Sequence, residues 1–346
     1  MSVNDPIVSK SGRDSVETRI PDSSISSPAA WLGIEQAKRN DWIHMLSGAE
    51  NAELDSAIRA YRHARKPLNE LTASEYPLPV LGPSIAEWMR ELDDGRGFIL
   101  VRGFPVDDYA EEEAAFAYWI IGLQMGHPVA QNRKGEVLGH VRDDGANPNE
   151  AAIRLYRTRV KLDFHTDGAD IIGLLCLKRA KVGGLSRIAS SVSVFNEVLR
   201  RRPDLVPLLF EDFYWDREAD AGPGEKPFFN FPICRYQKGR LGTLYIGWYI
   251  RNAQRFPDVP RLTSSQSEVL DLIDSIANDP IFHLDMDFEP GDMQFLKNAA
   301  ILHARTEYED WTEPERKRHL LRLWLTNLTF KDGDSQIREG IRTGRP

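Results

Sequence analysis

From about residue 126 to 330 the chain is a succession of short apolar runs separated by Gly and Pro turns, and this limits the fold more than any other feature. DIIGLLCLKR, LGTLYIGWYI, DMQFLKN, AAILHAR and HLLRLWLTNLTF each have the length and content of a strand. A single helix-like insert, TSSQSEVLDLIDSIAND, interrupts them. Helices do not alternate with the strands and no Gly-rich phosphate loop follows one, so a doubly wound parallel sheet fits worse. The pattern predicts a mainly β fold with flanking helices, an antiparallel sandwich or barrel with a jelly roll as the leading form. No period of 20–50 residues marks a repeat protein.

Ahead of these strands the reading is mostly helical. Residues 1–27 are rich in Ser, Asp and Pro and are expected to form a flexible arm. Residues 28–88 are read as a helical segment packed on the core. The stretch from Pro28 spaces Trp31, Ile34, Trp42 and Leu46 near helical periodicity, and Ser47-Gly-Ala-Glu50 has the form of a capping box. RGFILVRGF at 96–104 reads as a buried strand, and the acidic turn after Asp107 opens a helix that ends at Gly126. The division is thus an arm (1–27), a helical segment (28–88), a jelly-roll domain (89–330) and a tail (331–346).

Within LDFHTDGAD, His165 and Asp167 are two apart, so on a strand they share one face. His-x-Asp alone is a weak signal. Among the eight histidines, His303 stands out because it ends the run NAAILHAR. Two imidazoles and a carboxylate on one ion leave three octahedral positions free, the arrangement of non-haem Fe(II) oxygenases. A zinc hydrolase can use the same donors, and a histidine at a strand end is commonly structural. In RHLLRLWLT, Arg318, Leu320, Arg322 and Trp324 share one face, and His319 is turned to the other with the leucines. If the arginine face lines the interior, its planar forks suit an anionic co-substrate that also chelates the metal, as a 2-oxo acid does. The alternative is a solvated arginine face.

These ordered pieces resemble the Fe(II)/2-oxoglutarate-dependent dioxygenases of the taurine dioxygenase/TfdA (clavaminate synthase-like) family. The resemblance rests on HTD at 165–167, LHAR around His303 and RHLLR at 318–322. It extends to GFILVRGFP (97–105), AKVGGLSRIAS (180–190) and GDMQFLKN (291–298), and covers roughly residues 90–330. It implies a double-stranded β-helix, a distorted jelly roll, holding Fe(II) through His165, Asp167 and His303, with 2-oxoglutarate and O2 as co-substrates. It also implies that Arg318 pairs with the distal carboxylate of 2-oxoglutarate, assisted by Ser186 where relatives carry threonine. Arg322 matches a position that meets an anionic substrate group in some relatives. The loop from HTD to Gly183-Gly184 is shorter than in taurine dioxygenase, which leaves the prime substrate open. The implied reaction hydroxylates an unactivated C–H and releases succinate and CO2; desaturation or ring closure by the same cofactors stays open. Relatives that halogenate lack the carboxylate, so Asp167 argues against halogenation. A zinc hydrolase and a non-catalytic jelly-roll binding module are the rivals from other classes.

For the substrate, Arg322, Arg159 and Lys161 are expected to offer positive charge to a small anionic or amino-acid-like molecule. Arg159 and Lys161 share the His165 face only if the strand is unbroken. Trp248 and Tyr249, on opposite faces of their expected strand, cannot both line the pocket, and Trp248 is preferred. The net charge of −8 argues against a nucleic-acid partner. No apolar run is long enough to span a bilayer, the N-terminus lacks the apolar core of a secretory signal, and two cysteines make no disulfide framework. The expected location is the cytoplasm; the oligomeric state is left open.

Overall fold

The computed structural model describes residues 20–132, 134–146, 155–217, 221 and 224–330. Most of the expected arm and the whole tail, 331–346, lie outside the described residues. Two sheets carry the fold. In chain order, α1 (Gly33–Gln36), β1 (Ile43–Met45), α2 (Gly48–Ala64), α3 (Gly82–Asp93), β2 (Phe98–Arg102) and α4 (Glu111–Met125) come first. Then follow β3 (His127–Pro128), β4 (Leu138–Val141), β5 (Leu162–His165), β6 (Ile171–Lys178), β7 (Ser186–Ser190) and α5 (Ser191–Arg201). After two two-stranded antiparallel pairs, Asp212–Asp216 with Phe228–Pro232 and Cys234–Gln237 with Arg240–Thr243, come α6 (Gly247–Ala253), α7 (Ser264–Asn278), β8 (His283–Met286), β9 (Met293–Lys297), β10 (Ile301–Arg305) and β11 (His319–Thr326).

The larger sheet runs β1-β2-β9-β6-β11-β3, with β4 also on β11; the smaller runs β8-β7-β10-β5. Only the β1/β2 pair is parallel within them. Alternation along the strands then builds layers. Leu320 and Trp324 of β11 meet Ile172 and Cys176 of β6, and Ile188, Met286 and Ile301 of the smaller sheet, in the core between the sheets. Leu321, Leu323 and Leu325 turn the other way, onto α2, α3 and α4. The back of the smaller sheet, through Ala189, Leu302 and Ala304, packs on α5, α6 and α7. Gly122 lets α4 lie this close to the larger sheet, since a Cβ there would stand 2.3 Å from Leu323 Cδ2. Among the described residues, no helix is long and apolar enough to cross a membrane.

The helix expected over 28–46 is reduced to α1, and Ile43–Met45 instead adds to the edge of β2 with Ile43 opposite Leu100. Trp31 and Trp42 both pack on Phe98. Each indole N–H donates to a carbonyl, of Arg96 and Gln36 respectively, which fixes the segment against the core without a helix. The capping box at Ser47 forms as expected. More than one helix interrupts the later strands: α5 was hidden by the Ser/Val alternation at 190–194, which blurs the helical period. LGTLYIGWYI is not one strand either. A strand at Arg240–Thr243 gives way to α6, so Trp248 and Tyr249 sit in a helical first turn.

Candidate active site

His165 ends β5 and stands directly opposite His303 on β10, with ring centroids 4.2 Å apart. Asp167 is not on the same strand, as the i, i+2 argument assumed, but two residues beyond its end. Other bonds turn it toward the histidines. Thr166 N–H donates to the Tyr245 carbonyl at 2.7 Å, and Tyr245 N–H donates to Thr166 Oγ1 at 2.9 Å. Asn298, fully buried just after β9, accepts from Asp167 N–H at 2.8 Å. Its amide donates to the Asp167 and Ala169 carbonyls at 2.6 and 2.7 Å.

The donor atoms converge. His165 Nε2 is 3.8 Å from Asp167 Oδ1, and His303 Nε2 is 3.6 Å from Asp167 Oδ2. One donor from each of the three lies within 4.8 Å of the others. His165 Nδ1 is 2.8 Å from the Asp163 carbonyl, so Nδ1 carries the proton and the Nε2 lone pair faces the centre. Burial, then the neighbouring His303, push the His165 pKa down to about 3, so the ring is neutral and ready to ligate. For Asp167 burial works against charge, but Arg322 and His303 outweigh it and hold the carboxyl well below its usual range. Two imidazoles and one ionised carboxylate, with His303 Nδ1 buried and unpartnered among the described residues, fit a divalent transition metal such as Fe(II).

The arginine face points inward, against the solvated alternative. Arg318 is buried at 4% exposure, and burial lowers its pKa. Its Nε lies 2.9 Å from where a Cβ of Gly184 would stand, and Gly184 has φ of +70°. Only glycine serves there on both counts. One Arg318 nitrogen donates to the Gly184 carbonyl at 3.3 Å, while Nη1 is buried without a partner among the described residues. Ser186 is buried too, but its hydroxyl donates to Gln294 Oε1 at 3.2 Å. Arg305, two residues on from His303, is a second buried guanidinium. Its Nη2 donates to the Thr158 and Val160 carbonyls, and its Nε and Nη1 have no partner among the described residues. Both guanidinium carbons lie over the Tyr308 ring, at 4.9 and 5.1 Å. Burial and the nearby Arg318 charge lower the Arg305 pKa to about 10, which leaves it protonated at neutral pH.

Arg322 also reaches the triad. Its Nη1 is 3.5 Å from Asp167 Oδ2, its Nε donates to Gln131 Oε1 at 2.8 Å, and its guanidinium lies over Tyr156 and Trp324. Trp324 donates its indole N–H to the same Oδ2 at 3.0 Å. Trp248 packs edge-on against His165 with centroids 5.1 Å apart. The remaining expected contacts are placed elsewhere. Lys161 is paired with Asp163 at the surface, and Arg159 is paired with Asp143. Arg159 borders an open cleft of about 710 Å³ on the Thr158–Tyr308 side, and β5 begins only at Leu162, so no unbroken strand carries these two to His165.

Sequence reasoning passed over Trp324 as a partner of Asp167, and over Asn298 and Arg305 altogether. Arg305 was findable, because strand parity puts it on the His303 face. Nothing local in the sequence marks Asn298, whose partners are more than a hundred residues away.

The family model described as taurine catabolism dioxygenase TauD, TfdA family matches residues 64–324. The chain is 31% identical over 310 residues to FR-33289 synthase of Streptomyces rubellomurinus, covering 87% of this chain and 90% of that protein. It is also 31% identical over 312 residues to taurine hydroxylase-like protein SAT17 of Stachybotrys chartarum, covering 86% and 79%. Among solved structures, asparagine oxygenase in complex with Fe(II), 2S,3S-3-hydroxyasparagine and succinate superposes with a TM-score of 0.61 at 16% identity, covering 82% of this chain and 93% of that one. The non-haem iron oxygenase OrfP with Fe and alpha-ketoglutaric acid gives 0.63 at 14% identity, covering 82% and 93%. At such identities these two speak to the fold, which is the double-stranded β-helix.

Proposed function

The chain belongs to the taurine catabolism dioxygenase TauD, TfdA family, and from that premise we propose that it hydroxylates an unactivated C–H of a small anionic or amino-acid-like molecule. It is a non-haem iron, 2-oxoglutarate-dependent dioxygenase, an oxidoreductase. In this reading His165, Asp167 and His303 hold Fe(II). With 2-oxoglutarate and O2, the iron supplies the oxidising power for C–H hydroxylation, and succinate and CO2 leave.

The chain's own residues bind and orient. Arg318 meets the distal carboxylate of 2-oxoglutarate, with Ser186 beside it once its hydroxyl turns from Gln294. Arg305 supplies further positive charge on the same inner face. One observation carries the proposal: two buried guanidiniums, neither ion-paired to a carboxylate among the described residues, share an interior with a His/Asp/His donor set. Buried charge left unpaired is costly, so the site is built for an anion. That feature weighs against a zinc hydrolase and against a binding module with an idle triad.

Arg322 and Trp324 keep Asp167 ionised and aimed. Arg322, over Tyr156, is also the group for an anionic end of the prime substrate, with Trp248 as a wall beside His165. The hydroxyasparagine in the solved asparagine oxygenase complex is an amino acid, and the taurine in the second relative's name is zwitterionic; both support this substrate class. Cys176 and Cys234 are both free and buried, in keeping with a cytoplasmic location.

The test is succinate release from the iron-loaded enzyme against a panel of amino acids, small carboxylates, sulfonates and phosphonates, with neutral apolar compounds as controls. Stimulation by an anionic or amino-acid-like compound, reduced in Arg322→Ala, is expected. Stimulation by neutral compounds alone would overturn the substrate assignment.

A further inference from the structure

A second convergence of metal-type donors lies on the opposite face of β11 from the arginines. Strand parity turns His319 toward α4, on the side of Leu321 and Leu323, while its neighbour Arg318 faces the interior. Leu321 is registered against His140 of β4, so His140 is on the same face and diagonal to His319. Glu111 opens α4, which packs on that face. Three elements distant in sequence thus bring two imidazoles and a carboxylate together.

His140 Nδ1 is 2.9 Å from His319 Nε2. Glu111 Oε1 is 3.7 Å from His140 Nδ1, and Glu111 Oε2 is 3.5 Å from His319 Nδ1. One donor from each residue lies within 4.8 Å of the others. The 2.9 and 3.5 Å contacts use different nitrogens of His319, so the set that one ion can take is the one within 4.8 Å; atoms bonded to one zinc at about 2.0–2.2 Å stand roughly 3–3.6 Å apart, and side-chain movements of about 1 Å close it. His319 is buried, whereas the Glu111 and His140 side chains are 53% and 44% exposed, which gives one fixed ligand and an open way in for ion and water.

Lys178 donates its ammonium to the Glu315 carbonyl at 2.6 Å. Burial lowers the His319 pKa to about 4, His140, Arg142 and Lys178 adding to this and Glu111 opposing it, so the ring is neutral; the one N–H that the two rings share across their 2.9 Å contact is the proton an ion would displace.

We propose that Glu111, His140 and His319 form a second metal site, separate from the iron triad, that takes a borderline divalent ion of the zinc class. Two imidazoles and one carboxylate are a zinc donor set, with water completing the tetrahedron. Bound there, the ion ties edge strand β4 and the start of α4 to β11.

The test is titration of the full metal-free chain with Zn(II) against a chromophoric chelator, with the thermal midpoint read in parallel. The wild type should take up two equivalents. His165→Ala and His140→Ala should each retain one, and the double variant none. Zn(II) should still raise the midpoint of His165→Ala but not of the double variant, because only binding to the folded state stabilises. Glu111→Gln, which leaves both imidazoles in place, should weaken the second equivalent at least tenfold. Uptake of a single equivalent by the wild type, or uptake by His140→Ala equal to wild type, overturns the proposal. Loss of the second equivalent leaves the iron-site reading untouched, since His165→Ala reports on that separately.

Discussion

Trp324→Phe removes one hydrogen bond and little else. The phenyl ring keeps most of the buried apolar contact between the sheets and still lies near Arg322. What goes is the indole N–H that reaches Asp167 Oδ2 at 3.0 Å. A buried hydrogen bond to an ionised carboxylate contributes about 1.5–3 kcal/mol. Outer partners of metal ligands alter metal affinity by roughly 10–100-fold, which spans about 1.4–2.7 kcal/mol on the same scale. The two ranges agree. Arg322, 3.5 Å from the same oxygen, remains to keep the carboxylate ionised, so the lower half applies and the Fe(II) dissociation constant should rise about ten- to thirtyfold. Anaerobic Fe(II) calorimetry with saturating 2-oxoglutarate measures this, and the metal-free thermal midpoint controls for packing. An iron affinity within about twofold of wild type, with the midpoint unchanged, refutes the claim that Trp324 aims a metal-binding carboxylate.

Arg318→Ala should raise the 2-oxoglutarate concentration for half-maximal succinate release by roughly 30–1000-fold, as expected when one member of a buried charge pair is truncated; unchanged dependence removes Arg318 from the co-substrate site. Arg305→Gln should have a smaller effect in the same assay, about tenfold, and no effect there would confine Arg305 to tying down the Thr158 and Val160 carbonyls. Gly184→Ala places a Cβ at φ +70° and against Arg318, so it should cost about 1–2 kcal/mol of stability and also weaken 2-oxoglutarate binding. A lowered midpoint with unaltered co-substrate affinity would separate the strain from the clamp. Asn298→Ala leaves the buried Asp167 N–H and two carbonyls unpaired, and should lower stability by about 2–4 kcal/mol, read by denaturant unfolding, together with iron affinity. Loss of stability alone would make Asn298 structural only.

What the sequence revealed and what it hid divides along physical lines. Features set by local periodicity were legible: the Ser47 capping box, α4 ending at Gly126, α7, and the split of 318–325 into an arginine face and a leucine face. Tryptophans mislead when their spacing is taken for a helix, because Trp31 and Trp42 are placed by long-range packing on Phe98 and not by their own segment. His165 and Asp167 come together as the pattern suggested, yet for another reason: a loop held by Asn298 and Tyr245 does what a strand was expected to do. The anchors of that loop, and the indole on Asp167, come from segments more than seventy residues away. No short motif carries them. Lys161 and Arg159 looked like site residues because only distance along the chain was visible, and they form surface pairs with Asp163 and Asp143.

The central claim is that His165, Asp167 and His303 hold the iron to which 2-oxoglutarate binds. Its most direct test is anaerobic addition of Fe(II) and 2-oxoglutarate to the metal-free protein, watched by visible absorption. A charge-transfer band that requires both additions, and is lost in His165→Ala and His303→Ala while Lys161→Ala retains it, is the predicted result. No band in the wild type, or a band that survives loss of either histidine, contradicts the account.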